Sequence, residues 1–159
     1  MYGEGLAEEI FLKHLRSLYS RDSGVSVVVR NGRGGNAVDI VLNAAKEPGD
    51  FDRRIVVLDN DKGSSEMNEA RNEAGRRNVE IIENTPCLEA LLLSILESSS
   101  STAIRASDWY KKEFESTYLD KKKRTDLREY ETLFPKDLLE KRRSKLPTLN
   151  TILSLMEGR

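Results

Sequence analysis

The chain has 159 residues, 38% hydrophobic and 33% charged, with a formal net charge of −1. That length holds one ordinary domain, or one domain with an extension, and the apolar share suffices for a core under an unusually charged exterior. The near-neutral balance excludes a uniformly basic nucleic-acid binder, and the single cysteine, Cys87, excludes an internal disulfide. No apolar run approaches the ~20 residues needed to cross a bilayer, and the first residues lack the apolar stretch of a signal peptide, so the expected compartment is the cytoplasm, with no membrane partner.

In chain order, residues 6–19 place Ala7, Ile10, Phe11, Leu15 and Leu18 on one helical face. Val25–Val29 reads as a β-branched strand, and the glycine-rich run from Asn31 to Asn36 as a turn. A helix follows through Val38, Ile40, Val41 and Leu42 to Ala45, stopped by Pro48-Gly49. Ile55-Val56-Val57-Leu58 is a continuous apolar run, as in a strand covered on both faces. Residues 64–77 suggest an exposed helix, Val79–Ile82 another strand, and Cys87–Leu96 a buried helix.

Alternating strands and helices predict an α/β fold: a Rossmann-like parallel sheet, joined by right-handed crossovers and sandwiched by helices. Four serines, Ser98 to Ser101, then mark a change of composition. The expected division is an α/β domain over 1–97 and a charged α-helical C-terminal extension over 98–159. The extension is broken at Pro135 and Pro147 and ends on Leu149, Ile152, Leu153, Leu155 and Met156, so it is either a clamp over a site or a packing layer. Between Arg105 and Lys145 there are 13 Lys/Arg against 9 Asp/Glu, a net of +4 that leaves −5 for the remainder. An acidic first part and a basic second part suit a metal site beside a polyanion-binding surface; charged helices alternating their signs in water give the same balance.

The chemistry-bearing candidates begin with Asp59-Asn60-Asp61, directly after the buried strand. Ligands in open α/β sheets bind at the carboxyl ends of strands, and two carboxylates two residues apart can meet one divalent cation or bridge two. Asp and Asn are also ordinary turn residues, so this triplet alone does not distinguish the two roles. Glu4 precedes the first helix at the same expected edge, and Glu8 lies one turn on, either facing the same mouth or capping the helix.

These stretches together resemble the Toprim domain, and within it the small RloB-like and OLD-nuclease-like proteins. The matching segments are Glu4-Gly5-Leu6-Ala7-Glu8, Gly34-Gly35-Asn36 with Asp39-Ile40-Val41, Val57-Leu58-Asp59-Asn60-Asp61, and Asn84-Thr85-Pro86-Cys87-Leu88-Glu89. They span residues 4 to about 96. Two departures stand out: only Met1-Tyr2-Gly3 precedes Glu4-Gly5 where an apolar first strand belongs, so that strand is either cut short or vestigial, and the later motif's Asn-Pro is here Asn84-Thr85-Pro86. The resemblance implies phosphodiester hydrolysis with Mg²⁺ or Mn²⁺. Asp59 and Asp61 would hold metal, with Glu4 a further ligand or the general base. Glu8 and Glu89 would be nearby acids, Glu89 alternatively capping the amides of its own helix. Nuclease action on DNA or RNA, a role in restriction or phage defence, and a partner ATPase follow from the same resemblance.

Lys62 could set a cation beside the reaction, and Arg33 could touch a nucleic-acid substrate. Lys121, Lys122, Lys123 and Arg124, with Lys141, Arg142, Arg143 and Lys145, could hold a phosphate backbone while Trp109, Tyr110 and Tyr118 stack bases. A solvated charged face is the competing reading. His14 is expected as a hydrogen-bonded core histidine and Cys87 as core filler. The alternative function is a non-catalytic Toprim-like scaffold subunit of a larger defence complex, and an oligomer is possible in either case.

Overall fold

The computed structural model describes residues 1–97 and 104–159; the serine run that marked the change of composition lies outside the described residues. Within them, β1 (Tyr2–Gly3), α1 (Leu6–Tyr19), β2 (Arg30–Asn31), α2 (Ala37–Lys46), β3 (Arg54–Asp59), α3 (Ser64–Arg77), β4 (Val79–Asn84) and α4 (Leu88–Leu96) alternate strictly. Four further helices follow: α5 (Ser107–Thr117), α6 (Leu127–Leu133), α7 (Lys136–Arg143) and α8 (Pro147–Met156). The sheet is entirely parallel, in the order β2-β1-β3-β4. This is the α/β, Rossmann-like architecture that the sequence predicts. None of the described helices is long and apolar enough to cross a membrane.

β3 is buried on both faces, and its alternation divides the core. Ile55 and Val57 join α1, α4 and the C-terminal helices on one side. Val56 and Leu58 pack with Tyr2, α2 and α3 on the other. The apolar residues of the extension thus form a layer over α1 and α4: Phe134 meets Phe11 edge-on at 5.5 Å between ring centroids, and Leu139, Leu149, Ile152 and Met156 are fully buried. His14, on the apolar face of α1, is buried with Nε2 2.8 Å from the Phe134 carbonyl oxygen, tying α1 to the end of α6.

Local signals set the element ends. Asn36 caps α2 by accepting from the Asp39 N–H at 2.8 Å. Asn78 closes α3 in the left-handed conformation that Asn tolerates, and Pro147 opens α8, where a missing N–H costs nothing.

Two expectations are corrected. The strand predicted over Val25–Val29 does not form there, and β2 begins only at Arg30. Ladder pairing needs a neighbour, and β1 offers one only through Tyr2 and Gly3, paired to Arg30 and Asn31. The first strand, short as it is, is not vestigial: β1 lies at the sheet's centre between β2 and β3. Beyond it the ladder continues into Glu4, whose N–H donates to the Val57 carbonyl at 3.1 Å. Gly3 permits this. A Cβ there would lie 2.6 Å from the Glu8 Cβ and 2.8 Å from the Glu9 nitrogen, so only glycine lets β1 run so close beneath α1.

Candidate active site at the carboxyl edge

Asp59, Glu4, Glu8 and Glu89 are brought from separate elements to the carboxyl edge of β1 and β3. Asp59 ends β3 and is 5% exposed. Its Oδ1 accepts from the Leu88 N–H at 2.9 Å and from Asn84 Nδ2 at 3.3 Å, so the amino end of α4 and the end of β4 both aim donors at it. Glu4, following β1, reaches across: its Oε2 accepts from the Asp59 N–H at 3.0 Å. Its Oε1 lies 2.7 Å from Lys62 Nζ. The same ammonium donates to the Gly35 carbonyl at 2.7 Å. Lys62 is thus no freely solvated lysine; it pins the glycine-rich loop to Glu4. Gly34 N–H, donating to the Glu4 carbonyl at 3.0 Å, pins it a second time.

Glu8 does both things expected of it. Its Oε2 accepts from the Gly5 N–H at 2.9 Å, half of a capping box. It is also buried, with its pKa raised first by that burial and then by Glu89 and Glu4. Glu89 makes no cap: the Leu88 amide goes to Asp59 instead, and Glu89 Oε2 is buried with no hydrogen-bond partner. The four acids crowd one another. Asp59 is pushed up from the usual carboxylate range to about 8, chiefly by burial, then by Glu8 and Glu4 and to a lesser extent Glu89. Cys87, beside them, is fully buried with its thiol pushed up to about 12 by desolvation, which fits an inert core residue.

Asp61 stands apart from this group, on the exposed turn after β3, and its Oδ2 lies 3.5 Å from Lys111 Nζ. Burial works against the charge on Lys111, but Asp61, Glu89 and Asp59 outweigh it and raise its pKa. Lys111 sits on α5, far from the motifs in sequence. Nothing in the pattern of 13 basic residues marks which one folds back over the acids. It is the participant that sequence reasoning misses.

The donors suit a hard divalent cation: all are oxygens, the carboxyls outnumber the two lysines beside them, and one buried carboxylate oxygen is unpartnered. Among the described residues, however, no three His, Cys, Asp or Glu side chains stand ready as a metal cage. Glu4 and Asp61 are instead held by lysines.

The predicted nucleic-acid contacts separate into two groups. Arg33 is exposed, in the left-handed conformation at φ 67°, within the loop that Lys62 tethers. Lys121, Lys122, Lys123 and Arg124 form an exposed turn between α5 and α6, with Lys123 on Glu129 and Arg124 on Glu115. Lys141 is exposed, but its neighbours are structural. Arg142 is buried, its Nε donating to the Ile95 carbonyl at 3.0 Å and so fastening α7 to α4. Arg143 grips Glu157 and Glu140 with 16% of its side chain exposed. Amphipathic α7 turns these two arginines inward, and the basic run divides by face. Of the aromatic residues, Trp109 is 40% exposed beneath the Arg105 guanidinium.

No family model, curated protein or solved structure matches the chain.

Proposed function

We propose that the carboxyl edge of the sheet is the active site of a Mg²⁺- or Mn²⁺-dependent nuclease of the Toprim kind, RloB-like or OLD-nuclease-like, that hydrolyses phosphodiester bonds in DNA or RNA. One observation carries the reading: Asp59, at the end of a central parallel strand, shares a buried edge with Glu4, Glu8 and Glu89, which burial and mutual repulsion leave under-neutralised. Such a crowd of carboxyls at a switch point of an open sheet, more of them than the two lysines engage, suits a cation site.

In this reading Asp59, Asp61 and Glu4 would hold the ion, whose chemistry would be to neutralise phosphate charge and activate water. Glu8 and Glu89 lie behind them on the same buried edge. Lys62 fixes Glu4 and the glycine-rich loop, whose exposed Arg33 meets the substrate backbone. Lys111 presents a cation from above. Lys121, Lys122, Lys123 and Arg124 give a separate, salt-sensitive hold on nucleic acid.

The test incubates the protein with single- and double-stranded DNA and with RNA, in Mg²⁺ or Mn²⁺. Wild type should cleave at least one substrate, and Asp59→Ala should lose activity by roughly 100-fold or more, as expected when an electrostatic group of the site is deleted. No cleavage by wild type, or undiminished cleavage by the variant, rejects the proposal.

A second reading is a non-catalytic Toprim-like scaffold in a defence complex, working with a partner ATPase. It is favoured by the lysines already seated on Glu4 and Asp61. Titration calorimetry separates the two: the nuclease binds Mn²⁺ and loses that binding on Asp59→Ala, whereas the scaffold binds none.

A further inference from the structure

A cavity of about 210 Å³ opens beside the acids, where the end of β4 meets α4, α5 and the start of α8. Asn84 and Thr85 line it at the end of β4, Leu91 and Ser94 on α4, Tyr110 on α5 and Thr148 on α8. Among the described residues that line it, none is charged. An ion or a charged side chain would lose its hydration there without compensation, so the cavity suits a neutral occupant. Its volume lies below the ~300–1,000 Å³ that encloses a drug-sized ligand, which admits one ring system rather than a whole nucleotide.

Three contacts join the cavity to the carboxyl edge. Asn84 stands opposite Asp59 in the ladder, and its Nδ2 donates to Asp59 Oδ1 at 3.3 Å. Thr85 Oγ1 accepts from Asn60 Nδ2 at 3.3 Å. Tyr110 directly precedes Lys111, whose ammonium lies 3.5 Å from Asp61 Oδ2, so neighbouring residues of α5 serve the cavity and the acids.

The polar groups around it are uncommitted. Asn84 is 1% exposed, and its Oδ1 has no hydrogen-bond partner. Alternation along β4 puts this side chain on the face of Ile82, the face that α4 and α8 cover. α8 begins without a side-chain cap, so the Thr148 N–H remains one of the unpaired amides of a helix start. Tyr110 adds an aromatic ring and Leu91 apolar surface. An acceptor, a donor and a ring around a neutral slot match the polar edge and the apolar face of a nucleobase.

We propose that this cavity receives one nucleobase, unstacked from its strand, next to the phosphate held at the carboxyl edge. The placement rests on the nuclease reading of that edge. It makes the substrate single-stranded or locally unpaired, because a base still paired in a duplex cannot enter.

The experiment titrates the full chain, in chelator, into a fluorescein-labelled single-stranded dodecamer and into the same sugar–phosphate chain lacking all bases, read by anisotropy. The intact strand should bind more tightly. Tyr110→Leu should weaken its binding about tenfold, and Ser94→Phe, which fills the cavity, should do the same, whereas Tyr110→Phe should bind as wild type does. Binding of the base-free chain and the salt slope should stay unchanged in all three, since no phosphate contact is lost. In Mn²⁺, dodecamers each lacking one base at successive positions should be cut poorly only where the missing base adjoins the cut bond. Equal binding of the two chains by wild type, or equal losses on both chains in the variants, overturns the proposal. Uniform cleavage of the single-gap dodecamers also overturns it and leaves the nuclease reading standing. Base-dependent binding that Tyr110→Leu and Ser94→Phe abolish, with no cleavage by wild type, supports the base site and rejects the nuclease reading instead. Displacement of the strand by N-acetyltryptophanamide but not by nucleosides would assign the cavity to a protein side chain and overturn the proposal.

Discussion

Asp59→Asn should stabilise the cation-free protein, and increasingly so as pH rises. The folded carboxyl is pushed up to about 8 from an ordinary 3.8, so the native state resists losing a proton that the unfolded chain releases readily. Stability from this group is full below about pH 4 and falls as pH climbs to about 8. A shift of about four units sets a ceiling near ~6 kcal/mol. Relaxation and water entry around a charged Asp59 lower that ceiling, so ~2 kcal/mol at pH 8 is the working figure. The amide replacement keeps Oδ1, so the Leu88 and Asn84 donors retain their acceptor and no new hole is made. For a chain of this size ~2 kcal/mol corresponds to about 4–8 °C in Tm. Thermal melts followed by circular dichroism, in chelator from pH 5 to 9, should show the gap between variant and wild type widening with pH. Added Mn²⁺ should then raise the wild-type Tm and leave the variant's unchanged. A variant that melts lower than wild type at pH 8, or a gap that does not move with pH, would refute the reasoning.

Phe134→Ala should cost about 3–5 kcal/mol and lower one cooperative melt, because the ring packs on Phe11 of α1; two separate transitions would show that the extension melts on its own. Gly3→Ala should destabilise by about 1–3 kcal/mol, since its Cβ meets the Glu9 backbone at 2.8 Å; an unchanged urea midpoint would contradict the close approach. Lys121→Ala/Lys122→Ala should weaken nucleic-acid binding and reduce the slope of log affinity against log salt by roughly 2, with no change in Tm. Arg142→Met should do the reverse, lowering Tm with the salt slope intact, because its guanidinium is buried against the Ile95 carbonyl; a reduced slope for Arg142→Met would restore it to the binding face.

The sheet was legible because burial on both faces leaves a crude signature. Ile55 to Leu58 is a short apolar run of the kind a covered strand shows, and the helical spacing in α1 and α2 is independent of packing detail. β1 was harder. Two residues hold no periodicity, and what makes Tyr2-Gly3 a central strand is tertiary: the missing side chain at Gly3 lets α1 settle onto it. Val25–Val29 shows the converse, a segment of high strand propensity without a neighbour to pair with for most of its length. In the site, Asp59 and Glu4 could be read from their place after strands, but whether Glu89 would cap or crowd depended on which acceptor won the Leu88 amide. Asp59 won it, and Glu89 was left to raise the charge of the pocket.

The lysines follow from that charge. A buried edge with Glu4, Glu8, Asp59 and Glu89 on it repels itself, and water cannot relieve the repulsion where the carboxylates are enclosed. Two amines fill part of the deficit, and they come from opposite directions. Lys62 is local, three residues past Asp59, and meets Glu4 while donating to the Gly35 carbonyl of the glycine-rich loop. Lys111 is remote, carried on α5, and its hold on Asp61 depends on the helices that follow the α/β part. The extension therefore contributes to the electrostatics of the sheet edge as well as to the core. A cation entering this edge would meet Asp61 with an ammonium already beside it, so its affinity should depend on residues of α5 that never touch it.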